Sequence, residues 1–136
     1  MHTHWHTYTW DGLAIPTTHV RARASSSSPP FDPADWLAKP FDLHRAVLVR
    51  ASDAESWLNA LLTDLPALAG QFGRAELLSR TAKDLDAGRD VTWRYRTHDA
   101  RHVIAAAVRC PRLEHPCPTG HFTPSVEPCR STAALP

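Results

Sequence analysis

Cysteine and histidine residues gather in the C-terminal part of this chain, and their spacing points to a chemistry. The three cysteines are Cys110, Cys117 and Cys129, and His115 and His121 lie between them. In the pattern Cys-x6-Cys-x3-His-x7-Cys, a Cys3His set is formed by Cys110, Cys117, His121 and Cys129, with His115 as a spare. Thiolates and an imidazole in that number can close a tetrahedral zinc site. The sequence therefore predicts a zinc ion as cofactor, held by this segment.

Two observations keep an alternative open for the same segment. The usual first pair of a zinc knuckle or ribbon is Cys-x2-4-Cys, whereas here the first pair is Cys-x6-Cys. The segment also contains many prolines, so the alternative is a Pro-rich tail with incidental cysteines. An odd number of cysteines in a reducing compartment favours metal-bound or reduced thiols over a structural disulfide. A redox pair is disfavoured because Cys110 and Cys117 do not form Cys-x-x-Cys.

A second group of histidines lies at the other end of the chain. His2, His4 and His6 alternate, so in an extended strand they would project from one face and could bind a metal or a partner. The competing interpretation is a frayed, polar N-terminus. The sequence alone favours the frayed end.

The remaining candidates for chemistry each have a simpler explanation. His98, Asp99 and His102 could form a catalytic group, but a hairpin turn exposed to water is the strongly favoured explanation. No nucleophile elbow, HExxH helix or phosphate-binding loop is present. Several arginines alternate along predicted strands and could contact phosphates, although a solvated outer face is favoured. They are Arg21, Arg23, Arg94, Arg96 and Arg109.

Composition limits the classes of protein that remain. The formal net charge is +1 and 21% of residues are charged, so no strong field draws the chain to nucleic acid or anionic lipid. No apolar run is long enough to span a membrane, and the first residues do not resemble a signal peptide, so we expect a cytoplasmic protein. Arginine greatly outnumbers lysine, which is typical of GC-rich bacterial genomes.

The pattern of apolar and turn-forming residues predicts the strands, helices and loops that must position these groups. Residues 1–24 are predicted to form a β-hairpin around Asp11-Gly12, and the Ser/Pro-rich stretch 25–35 a linker or loop. Residues 36–110 are predicted to form the core, and 111–136 the Cys/His/Pro-rich segment. Five tryptophans are present, of which Trp5, Trp10 and Trp36 could cover the core or form a recognition surface.

Within the core, the apolar run in 45–50 predicts a central strand, buried on both faces. A capping box, Ser52 with Glu55, and leucines at helical spacing predict a first helix after it. A second helix is predicted over 74–87, and alternating residues then predict a hairpin over 91–110.

These elements predict one α+β domain in which antiparallel hairpins form a sheet and two consecutive helices pack on one of its faces. The function we expect is a small binding module with a structural zinc site, acting through protein or nucleic-acid contacts. The alternative is a small enzyme that uses the Cys/His cluster as a catalytic metal site, or a pocket between helices and sheet. An assembly component that buries its N-terminal hairpin in another subunit is a third possibility.

Overall fold

The computed structural model describes residues 3–119. The strands are β1 (His4–Gly12), β2 (His44–Leu48), β3 (Val91–Arg96) and β4 (His102–Cys110). The helices are α1 (Thr18–Ala22), α2 (Ala51–Asp64) and α3 (Arg74–Asp86), with two 3-10 helices, Pro33–Ala38 and Phe41–Leu43, before β2. All strand pairs are antiparallel, in the order β2-β1-β4-β3. The predicted α+β fold, with its antiparallel sheet and two consecutive helices, is confirmed.

The centre of the sheet is the long pair β1 and β4. Because side chains alternate along a strand, each of these strands sends one set of residues to each face of the sheet. In β4 both sets are small or branched apolar residues, and positions 103–108 are almost fully buried. The sheet is therefore covered on both faces.

One face of the sheet packs against α2 and α3. Leu58 and Leu62 of α2 and Leu85 of α3 are buried against Trp93 and Tyr95 of β3. Both aromatic residues keep their polar atoms paired, since Trp93 Nε1 donates to Thr81 Oγ1 at 3.0 Å and the Tyr95 hydroxyl donates to the Leu65 carbonyl at 2.8 Å. The two helices and the hairpin strand that the sequence predicted therefore pack together in this core.

The other face is covered by the two 3-10 helices. Trp36 stacks on Tyr8 of β1, with ring centroids 5.2 Å apart, and Leu37 packs beside them. Lys39 secures the preceding loop, because its buried ammonium donates to the carbonyls of Arg21 and Arg23 at 2.9 Å and 2.7 Å. In the stretch 25–35, predicted to be a linker or loop, Ser28, Pro29 and Pro30 are buried against the rest of the domain.

Three local predictions differ from the structure. After Asp11-Gly12 the chain does not return as a strand but bends into α1, and β1 pairs instead with β2 and β4. Since β2 pairs only with β1 among residues 3–119, it is an edge strand and not a central one. The capping box does not form, because α2 begins at Ala51 with Arg50 as its N-cap, two residues before the predicted cap Ser52, and the carboxylate of Asp53 accepts from Arg50 at 2.9 Å.

Candidate metal centre

Three of the four residues at the candidate site lie on the two central strands. His4 and His6 are two positions apart on β1, so their imidazoles project from the same face, the one opposite α2 and α3. In the antiparallel register Cys110 of β4 is directly opposite His4 and shares that face. All three side chains are fully buried, at 0% exposure.

The fourth residue comes from the segment that follows β4. Cys117 is 4% exposed and packs against Cys110. This segment is fixed to the sheet by Arg112, whose Nη1 donates to both carboxylate oxygens of Asp90 at 2.9 Å. Thr119 lies beside the sulfur, with its Oγ1 2.9 Å from Cys117 Sγ.

Two of the distances between the four side chains match those of a tetrahedral metal site. Nε2 of His4 is 3.2 Å from Nε2 of His6, which is 3.4 Å from Cys117 Sγ, and all ligand atoms of the four residues lie within 4.8 Å of one another. A tetrahedral zinc with ordinary bond lengths holds two nitrogens about 3.3 Å apart, and a nitrogen and a sulfur about 3.5 Å apart. The two measured edges are close to those values.

Burial gives His6 the neutral form that a metal requires, but it keeps the Cys110 thiol protonated. It lowers the pKa of His6 to about 2, with further contributions from the neighbouring His4 and His44, so the ring is neutral at pH 7. Burial raises the pKa of the Cys110 thiol to about 12, partly opposed by Arg112. A bound cation would displace that proton, because a metal takes cysteine as the thiolate. Neutral imidazoles and metal-deprotonated thiols are the forms that bind zinc.

The two cysteines differ in oxidation state. Cys110 carries a thiol, whereas Cys117 is disulfide-bonded. The sequence led us to expect metal-bound or reduced thiols, and Cys117 departs from that expectation. A sulfur in a disulfide is not a thiolate, so Cys117 can serve as an anionic ligand only after reduction.

Two aromatic side chains line the site without belonging to the ligand set. Nδ1 of His6 is 2.9 Å from Nε2 of His44, the first residue of β2. The hydroxyl of Tyr8, 1% exposed, has no hydrogen-bond partner among the described residues. Burial and the neighbouring Cys110 both raise the pKa of Tyr8.

Of the predicted zinc ligands that lie within the described residues, the structure brings together only the two cysteines. It brings Cys110 and Cys117 together, whereas His115 lies apart with its Nε2 3.2 Å from a carboxylate oxygen of Asp35. His121 and Cys129 lie outside the described residues, as does His2. The group that could hold a metal ion consists of these two cysteines together with His4 and His6, which the sequence analysis assigned to a frayed N-terminus.

A usable signal for His4 and His6 was present in the sequence. The His-x-His alternation runs without a break into Tyr8 and Trp10, so the histidines continue the period of a strand. In the structure that strand lies in the middle of the sheet, paired on both sides. The frayed end at these positions was the wrong interpretation.

The other candidates show no comparable convergence. His98 is exposed in the turn between β3 and β4, and Asp99 accepts a hydrogen bond from Thr97 that stabilises the turn. Arg94 and Arg96 are exposed on β3, while Arg21 donates to the carbonyls of Pro29 and Pro30 in the loop that follows α1. Of the three tryptophans considered for a recognition surface, Trp5 and Trp36 are buried and Trp10 is partly buried.

Comparison with known proteins finds no match for the chain. No family model matches, and neither a curated protein nor a solved structure does. Within residues 3–119, the helices are too short or too polar to cross a membrane.

Proposed function

We propose that the protein is a small binding module in which one zinc ion joins the first strand to the C-terminal segment. The ligands are Nε2 of His4 and of His6, Sγ of Cys110 and, once its disulfide is reduced, Sγ of Cys117. The observation that carries this proposal is the set of interatomic distances, 3.2 Å between the two nitrogens and 3.4 Å from His6 Nε2 to the Cys117 sulfur. Tetrahedral coordination by two nitrogens and two sulfurs is typical of zinc among the common biological cations.

A structural role is favoured over a catalytic one. Catalytic zinc keeps a coordination position open for water or substrate, whereas structural zinc has four protein ligands. Here all four ligands are at most 4% exposed, and Trp36 and Tyr8 close the same face of the sheet. The enzyme alternative requires three ligands and a water molecule in a cleft, which this burial disfavours.

Zinc at this position would organise the C-terminal segment. The chain leaves the sheet at Cys110 and returns to it at Cys117, so the metal would fix both ends of the intervening loop. That loop contains His115, which lines a surface cavity of about 320 Å³ together with Phe31 and Lys39. A loop fixed by the metal beside the exposed ring of Phe31 supports a role in binding. The near-neutral net charge favours a protein partner over nucleic acid.

The test is the zinc content of untagged protein purified under reducing conditions. We expect one zinc per chain in the wild type, and none in His6→Ala or Cys117→Ser. His98→Ala is the matched control, since it removes an exposed histidine outside the site, and it should retain the metal. Wild-type protein without zinc after reconstitution would refute the proposal, as would zinc retained in full by both ligand variants.

A further inference from the structure

The residue next to the ligand set, His44, is placed there by an irregularity in the sheet. In the pairing of β1 with β2, Thr7 lies opposite Ala46 and Tyr8 opposite His44, so the register shifts by one residue between them. A bulge of this kind changes the direction in which the flanking side chains point. His44 thereby directs its Nε2 to within 2.9 Å of Nδ1 of His6.

The ring of His44 is held in that orientation by its neighbours. Phe41 stacks on it, with ring centroids 4.3 Å apart and an interplanar angle of 14°. Tyr8 contacts it edge-on at 5.3 Å. Contacts on two sides restrict the rotation of the imidazole, so the position of Nε2 is set before any metal binds.

The contact between the two imidazoles matters because a neutral imidazole carries one proton. Between two such rings the hydrogen bond can run in either direction. If His6 binds a metal through Nε2, its proton must reside on Nδ1, and Nδ1 then needs an acceptor. His44 Nε2 is the acceptor that the structure provides at that atom.

From this geometry we infer that His44 is a positioning residue for the metal, which accepts the proton of His6 Nδ1 and so holds His6 in the tautomer that presents Nε2. This inference rests on the proposed zinc site. His44 itself does not touch the ion. Partners of this type, which bond to the far nitrogen of a metal-binding histidine, change metal affinity by roughly 10- to 100-fold when removed.

Two substitutions separate the hydrogen bond from the shape of the ring. His44→Phe keeps an aromatic ring between Phe41 and Tyr8 but removes the acceptor. His44→Gln gives up the stacking and restores an acceptor oxygen. His98→Phe is the matched control for the loss of a histidine, because His98 is exposed in the turn before β4, at the opposite end of that strand from Cys110.

The measurement is zinc affinity by competition with a chromophoric chelator, on reduced protein. We expect the affinity to fall roughly 10- to 100-fold in His44→Phe, to return to within a few-fold of wild type in His44→Gln, and to be unchanged in His98→Phe. In the zinc-bound wild type, nitrogen-15 NMR should show His6 protonated at Nδ1, with slow exchange of that proton. The exchange should accelerate in His44→Phe and not in His44→Gln, a pattern that loss of packing alone would not produce.

The outcomes distinguish this inference from the proposed function. If the wild type binds no zinc, the proposed site is refuted and the role of His44 falls with it. If the wild type binds zinc and His44→Phe binds it equally well, only the inference about His44 is overturned. A His44→Gln variant as weak as His44→Phe would also overturn it, because the ring and not the acceptor would then be what matters.

Discussion

Removing one oxygen atom from Tyr8 should stabilise the metal-free protein. The Tyr8 hydroxyl is buried and has no hydrogen-bond partner among residues 3–119. Tyr8→Phe retains the ring that stacks on Trp36 and contacts His44. The substitution therefore removes an unpaired polar atom and leaves the packing in place.

The magnitude follows from the cost of burying a hydroxyl without a partner. That desolvation penalty is about 1–3 kcal/mol in proteins, so we expect the free energy of unfolding to rise by about 1 kcal/mol or more. Tyr95→Phe is the matched control, because it makes the same chemical change where the hydroxyl donates to the Leu65 carbonyl at 2.8 Å. Loss of that bond should lower the free energy of unfolding by about 1 kcal/mol.

The assay is urea denaturation of the two variants and the wild type, with a reductant and a metal chelator present. If the free energy of unfolding falls by about 2 kcal/mol per molar urea, the midpoint of Tyr8→Phe should rise by roughly 0.5 M and that of Tyr95→Phe should fall by roughly 0.5 M relative to wild type. If Tyr8→Phe loses as much stability as Tyr95→Phe without metal, then Tyr8 has a partner and our reasoning is wrong.

Two further predictions concern the oxidation state and the loop that covers the sheet. With Cys117 kept in its disulfide, zinc affinity should fall by roughly 100-fold or more relative to the reduced protein, since one thiolate ligand is withdrawn; equal affinities by chelator competition would exclude Cys117 as a ligand. Lys39→Met should lower the free energy of unfolding by about 2 kcal/mol, because it leaves the carbonyls of Arg21 and Arg23 without their charged donor. The exposed Lys83→Met is the control, and comparable losses in the two variants would show that the buried ammonium contributes nothing specific.

The parts of the fold that could be predicted from the sequence are those with a strong local period. Leucines at helical spacing indicated α2 and α3, and the alternation of Val91, Trp93 and Tyr95 indicated β3, all of which the structure contains. The neighbours of a strand in the sheet are not a local property. The apolar run in β2 resembled a central strand, yet its position at the edge depends on how β1 and β4 pair.

The candidate site was predictable only in part for the same reason. Cys110 and Cys117 stood out because cysteines are rare and close in sequence. His4 and His6 are more than a hundred positions from Cys110, and only the antiparallel register of β1 with β4 brings them together. A histidine also looks polar in the sequence, so its full burial could not be inferred before the strand was known to be central.

The most direct test of the central claim is X-ray absorption at the zinc edge on the reduced, zinc-loaded wild type. The account predicts two nitrogen ligands at about 2.0 Å and two sulfur ligands at about 2.3 Å around each ion. Cys110→Ser should lose one sulfur from this shell. A wild-type spectrum with only nitrogen and oxygen ligands, or with three or four sulfurs, would contradict a site made of His4, His6, Cys110 and Cys117.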